Sequence, residues 1–217
     1  MVAGKTTNPR RVGVFGGTFD PVHLGHLILA EQCREQGRLD EVWFVPANVP
    51  PHKQGQHLTR FDQRVEMVEL AIAGNSAFRV EPIEGERDGP NFTADTLQEL
   101  RRRHAGVEFF LLIGSDSLND LPGWREPRRV VESAGLLVML RANYAPRPIE
   151  ELRAHLGLPE SVPLRVEWVA SPPVIDIASR DLRRRISEGR SIRYLVPRAV
   201  EVYVKEKHLY QVAESPH

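Results

Sequence analysis

Short, nearly continuous apolar runs recur along this chain, and most are followed by a stretch with helical spacing. Arg11–Phe15 (RVGVF), Glu41–Val45 (EVWFV), Glu108–Ile113 (EFFLLI), Leu136–Leu140 and Leu164–Trp168 read as strands, with Ala77–Val80 a weaker one. Leu24–Gln36, Arg60–Ala73, Thr93–His104, Arg125–Ser133 and Ile149–Leu156 read as helices, and Ser179–Glu188 and Arg198–Lys207 close the chain as two more. Strands that are apolar at consecutive positions are buried on both faces, and strand–helix alternation supplies the helices that bury them.

The expected fold class is therefore α/β: a Rossmann-like, doubly wound, mostly parallel sheet with helices on both faces. A small helical cap is expected from residues 179–212. With 217 residues and 41% hydrophobic content, one domain over 1–217 with a loose polar tail at 1–10 is the simplest organisation. Lys+Arg and Asp+Glu are equal at 29 each, so the broad basic surface of a general nucleic-acid binder is not expected, and any anion site must be local. Cys33 is the only cysteine, which excludes an intramolecular disulfide and a multi-cysteine zinc site. Runs such as Phe109–Ile113 are too short to span a bilayer, and Met1–Arg11 lacks an apolar signal core. These features point to a cytoplasmic protein without membrane partners. Oligomeric state is left open.

In doubly wound sheets ligands lie beyond the carboxyl ends of the strands. The first strand runs into the densest polar stretch of the chain, GVFGGTFDPVHLGHL, Gly13–Leu27. Its glycines, Gly13, Gly16 and Gly17, do not fit the G-x-G-x-x-G dinucleotide turn; a P-loop Gly-Lys-Ser/Thr and an H-E-x-x-H metal helix are absent. A glycine pair lets a ligand approach the backbone. Asp20-Pro21 reads as a helix start, with the acid as cap. His23 and His26, at i and i+3, fall on one face near that first turn. Two imidazoles beside a helix N-terminus make a donor array for phosphate oxygens; the plainer reading is a glycine turn with surface histidines. Pro46–Lys53, Gly114–Asp116 and Ser171–Ser179 also follow strands.

Gly17, Phe19, Asp20, Pro21, His23, Gly25 and His26 fill every fixed position of G-x-F-D-P-x-H-x-G-H, so the chain resembles the nucleotidyltransferase superfamily. Asn48–Lys53 (NVPPHK), Asn91–Leu97 (NFTADTL), Gly114–Ser117 (GSDS), Leu121–Trp124 (LPGW) and Ile177–Arg183 (IASRDLR) are similar, in order, to bacterial nicotinate-nucleotide adenylyltransferases. The resemblance implies transfer of AMP from ATP to nicotinate mononucleotide by direct in-line attack. The products are deamido-NAD and pyrophosphate, a step of NAD biosynthesis. Other phosphomonoester acceptors (nicotinamide mononucleotide, phosphopantetheine) and a non-catalytic nucleotide sensor are the alternatives.

The same resemblance implies roles. His23, His26, Lys53 and Arg183 would be catalytic. Gly16, Gly17, Thr18, Phe19, Ile177 and Ser179 would join His23, His26 and Arg183 around ATP. Asp20, His52, Lys53, Phe92, Thr93, Gly114, Asp116 and Trp124 would receive nicotinate mononucleotide, with Trp124 stacking on the pyridine. The N-terminal amides of the helix after Phe92 would take the nicotinate carboxylate. Mg²⁺ would accompany ATP without dedicated protein ligands. One motif departs from the family pattern I-S-S-T-x-x-R: Ala178 and Arg180 stand where a Ser and a Thr are usual, while Ser179 and Arg183 remain. Ser179 reads as a helix cap, Thr93 or Asn91 as another, and Arg185 as a partner for Asp181.

Overall fold

The computed structural model describes residues 9–50, 58–140, 145–170 and 176–211. Its strands are β1 (Arg10–Gly17), β2 (Glu41–Pro46), β3 (Phe78–Val80), β4 (Val107–Gly114), β5 (Gly135–Met139) and β6 (Val166–Val169). They form one sheet in the order β3-β2-β1-β4-β5-β6, and every adjacent pair is parallel. The helices are α1 (Leu24–Gln36), α2 (Phe61–Ile72), α3 (Thr93–Arg103), α4 (Ser115–Asp120), α5 (Pro127–Ser133), α6 (Ile149–His155), α7 (Ser179–Ser187) and α8 (Arg198–Glu206). The expected doubly wound α/β class is what the chain adopts.

Strand alternation sorts the core into two layers. Phe15 of β1, Val42 and Phe44 of β2, Phe110 and Leu112 of β4, and Leu137 and Met139 of β5 face one cluster with α1, α2, α7 and α8. Val12, Val14, Trp43, Val45, Phe109, Leu111, Ile113, Leu136 and Val138 face the other, with α3, α4, α5 and α6. Each fully buried aliphatic or phenyl side chain contributes about 1.5–3 kcal/mol, so two such layers explain why the strands read as unbroken apolar runs. Cys33 sits in the first layer, its thiol pushed up to about 12 by burial, which keeps it protonated and unreactive.

Helix α4 directly follows β4, a helix where the sequence suggests only a turn after Gly114. It is six residues long and has one apolar residue, Leu118, too little for a periodic signal. The strand order reverses about β1, which pairs with β2 on one side and β4 on the other. The carboxyl ends of β1 and β4 therefore flank the switch-point crevice where ligands bind in sheets of this kind. Among the described residues, no helix is long and apolar enough to cross a membrane.

Candidate active site

β1 ends at Gly17, and the chain turns through Thr18–Val22 before α1 begins at Leu24. Gly16 is exposed, and a side chain there would meet open space. At Gly17 a Cβ would lie 2.7 Å from the Phe19 ring, so that glycine makes room for a protein side chain. Phe19 itself is buried, at φ +50°, and packs edge-on against Phe15 and against His26, 5.0 Å between centroids. Its ring belongs to the core and backs His26.

Asp20 is not the cap of α1, as the sequence suggested. The Asp20–Pro21 peptide is cis, and the Asp20 carboxylate is buried. Oδ1 accepts from the Tyr210 hydroxyl at 2.6 Å and Oδ2 from the Thr59 N–H at 3.4 Å. Burial beside Asp20 holds the Tyr210 phenol well above its ordinary range, so it remains a donor.

The cap is His23. Its Nδ1 accepts from the His26 N–H at 3.3 Å, and the Nδ1 of His26 accepts from the His23 N–H at 3.2 Å. The rings stack 3.6 Å apart. Backbone N–H groups can only donate, so both Nδ1 atoms must present lone pairs, and each neutral ring carries its proton on Nε2. Burial pulls His23 down to about 4, and it pulls His26 well below its ordinary value, with the neighbouring His23 adding to the effect. At neutral pH the pair is two uncharged imidazoles, each with one Nε2–H donor.

Helix α7 abuts the same turn. Ser179 does not cap it: Ala178 holds the cap position, and Ser179 Oγ donates to the Pro21 carbonyl at 2.9 Å. Arg183, one turn further, donates from Nη1 to the Asp20 carbonyl at 2.7 Å. Ile177 is half-buried against the first core layer. Arg180 projects outward with its side chain 82% exposed. Asp181 pairs with Arg184 at 3.0 Å, while the expected partner Arg185 donates to the Ser191 carbonyl.

At the start of α3, Phe92 occupies the N-cap position, and no side chain caps that helix. Asn91, one expected cap, instead accepts from Val49 N–H and donates to the Glu84 carbonyl. Thr93 is the first helical residue. The Arg125 guanidinium lies 4.4 Å over the Phe92 ring, a contact no sequence motif signals. Trp124 is half-buried against the second core layer, its backbone N–H donating to the Leu121 carbonyl. Gly114 ends β4 and caps α4, with Asp116 in the first turn. His52 and Lys53 lie outside the described residues. Two residues missed in the sequence, Arg64 and Tyr210, touch the turn or its supports. Neither belongs to a motif, and each contacts residues more than 40 positions away.

Open space over Gly16, the paired imidazoles of His23 and His26 and the start of α1 fit an α/β protein of the Cytidylyltransferase-like class, whose family model matches residues 14–185. The chain is 44% identical over 205 residues to a probable nicotinate-nucleotide adenylyltransferase of Thermomicrobium roseum, covering 94% of both chains. It is 44% identical over 201 residues to one of Thermus thermophilus, covering 93% of this chain and 100% of the other. The chain belongs to the nicotinate-nucleotide adenylyltransferase family. The fold is shared with the Plasmodium falciparum nicotinic acid mononucleotide adenylyltransferase complexed with NaAD. There the TM-score is 0.74 at 19% identity, covering 93% of this chain and 97% of that one.

Gly17→Ala should destabilise the fold by about 1–3 kcal/mol in denaturant melts through overpacking on Phe19, whereas Gly16→Ala should leave stability near wild type and weaken ATP binding. The depressed His23 value has a signed consequence for stability. Below its ordinary 6.5 the unfolded chain takes up a proton that the fold refuses until about 4, so stability should fall as pH drops through that window. The ring Cε1–H resonances of His23 and His26 should show no inflection near pH 6.5; one there would overturn the neutral pair.

Proposed function

We propose that this protein, acting as one nucleotidyltransferase domain over residues 1–217, transfers AMP from ATP to nicotinate mononucleotide. The products are deamido-NAD and pyrophosphate, formed in the cytoplasm as a step of NAD biosynthesis. The observation that carries the reading is the reciprocal capping of His23 and His26, which leaves the proton of each neutral ring on Nε2 at the turn that follows β1.

The nucleophile is a phosphate oxygen of nicotinate mononucleotide, anionic at neutral pH, so no general base is required. It attacks the α-phosphorus of ATP in line. A new P–O bond forms as the α-phosphorus–oxygen bond to pyrophosphate breaks, and the leaving group departs as an anion. No proton has to move. The chain's task is to hold two polyanions in line and stabilise charge on the α-phosphate. His23 and His26 suit this: neutral rings donate hydrogen bonds without surrendering a proton. Arg183 supplies charge from a guanidinium already oriented by the Asp20 carbonyl. Lys53 is assigned the second cation by resemblance alone.

Among the described residues no cluster of three or more His, Cys, Asp or Glu side chains is arranged to hold a metal. The carboxylate nearest the turn, Asp20, is taken up by Tyr210 and Thr59. Mg²⁺, where it accompanies ATP, would be held mainly by the nucleotide rather than by these side chains, and would neutralise phosphate charge.

On the pyridine side, the uncapped start of α3 offers backbone N–H groups and a partial positive charge to the nicotinate carboxylate, and Arg125 on Phe92 adds a full positive charge nearby. Trp124 is the aromatic surface assigned to the pyridine. A neutral amide gains less from these charges than a carboxylate does.

Pyrophosphate release should be fast with nicotinate mononucleotide and absent with phosphopantetheine. His26→Ala should lower kcat by about 10²–10³-fold, the loss expected for one preorganised donor, with a far smaller change in ATP KM; near-normal kcat would remove His26 from the reaction. Replacing nicotinate mononucleotide by its amide should cut kcat/KM by about tenfold or more, the equivalent of ~1–2 kcal/mol of helix-terminus stabilisation. Equal rates would refute the assignment of α3.

A further inference from the structure

Arg64 is an arginine in the first turns of α2 with 1% of its surface exposed. No carboxylate among the described residues lies within ion-pair distance of it; Asp20 and Glu84 act on it only through space. Its donors go to backbone carbonyls. Nε donates to Thr59 at 2.9 Å, Nη1 to Thr18 at 2.8 Å and to Ala47 at 2.6 Å, and Nη2 to Asn48 at 3.3 Å. The guanidinium also lies 5.5 Å from the Phe61 ring centroid.

The identity of those carbonyls matters. Thr18 belongs to the turn after β1, directly before the Phe19 that backs His26. Ala47 and Asn48 follow β2, and Thr59 precedes α2. Asn48 and Thr59 are thus the two stems of the segment that carries His52 and Lys53. One planar cation joins the phosphate turn to both stems. Burying a charge without a counter-ion is costly and is tolerated only where its donors are satisfied. A side chain needed only for packing would be apolar here, since α2 is otherwise buried through Met67, Val68 and Ile72.

We propose that Arg64 is a positioning residue for the transfer reaction: through the Thr18, Ala47, Asn48 and Thr59 carbonyls it sets the phosphate turn against the loop that follows β2. Peptide planarity transmits the constraint. With the Thr18 carbonyl held toward Arg64, the Phe19 N–H of the same trans peptide faces the opposite way, and the ring behind His26 is fixed in turn. The fork is what this requires. Lysine offers three donors at one point, whereas the guanidinium offers five spread over a plane. The inference rests on the adenylyltransferase reading, and the experiment separates the two.

Pyrophosphate release by the wild type comes first; an inactive wild type counts against the activity alone. ATP affinity by calorimetry reads the turn in either case. Arg64→Lys keeps charge and stem and should still unfold cooperatively, with ATP affinity reduced and kcat lowered about 10²-fold, the size of a misplacement near 1 Å. Combined with His26→Ala, its effect on kcat should be less than the product of the two single losses, because both act on the same donors. Millimolar guanidinium should restore activity to Arg64→Ala, and ammonium should not. A folded Arg64→Lys protein with wild-type kcat and ATP affinity overturns the proposal, and so do losses that multiply in the double variant, since a purely structural role acts independently of His26. Where Arg64→Ala does not fold, the Lys variant and the double variant decide.

Discussion

All six strands run the same way, so every loop leaving a strand's carboxyl end must find room and hydrogen-bond partners at one edge of the sheet. That constraint organises the rest of the molecule. At β1 the winding reverses, and the loops on either side diverge instead of covering one another. The backbone there cannot be satisfied by ladder bonds. From below, the core supplies Arg64 to the carbonyls of Thr18, Ala47 and Asn48. From the side, α7 supplies Ser179 and Arg183 to those of Pro21 and Asp20. On the upper side Gly16 is left facing open space. The proposed binding site lies at this edge, over Gly16.

The histidine pair shows how burial and hydrogen bonding divide the work. Desolvation favours the neutral form of both rings. A neutral imidazole must still place its one proton, and the backbone N–H groups of the first helical turn make that choice by claiming both Nδ1 atoms. In the proposed reaction, attraction for phosphate would come from the oriented Nε2–H dipoles, with the Arg183 guanidinium adding a full charge. In a chain with zero net charge, affinity for a polyanion has to be built this way, locally and by orientation.

The fold was legible because burial on both faces writes itself into consecutive apolar positions: RVGVF, EVWFV and EFFLLI each mark a strand to within a few residues. The motif at Gly13–Leu27 located the turn because its polar and glycine content follows directly on an apolar strand. The caps were not legible. Asp20, Ser179 and Asn91 all carry side-chain oxygens that suit a helix start, and all are claimed by distant groups: Tyr210 and Thr59, the Pro21 carbonyl, and Val49 with Glu84. Local preference at a helix end is worth about 1 kcal/mol, which one tertiary hydrogen bond can outweigh. Arg64 was invisible because its spacing on α2 matches a core position, and only the folded chain shows what it reaches.

The altered second motif can be judged on the same terms. Its family pattern places hydroxyls where this chain has Ala178 and Arg180. Ala178 is the cap of α7, where backbone conformation rather than a side chain starts the helix. Arg180 points to solvent, near the Asp181 carboxylate at 3.9 Å, and so adds no charge to the crevice in this arrangement. The two retained residues are the ones that hold the turn, Ser179 on the Pro21 carbonyl and Arg183 on that of Asp20. These bonds join the start of α7 to the approach of α1, so the relative placement of the two helix starts is set by Ser179 and Arg183 and not by the substituted positions. The substitution removes hydroxyl groups from the rim of the site while leaving intact the contacts that shape it.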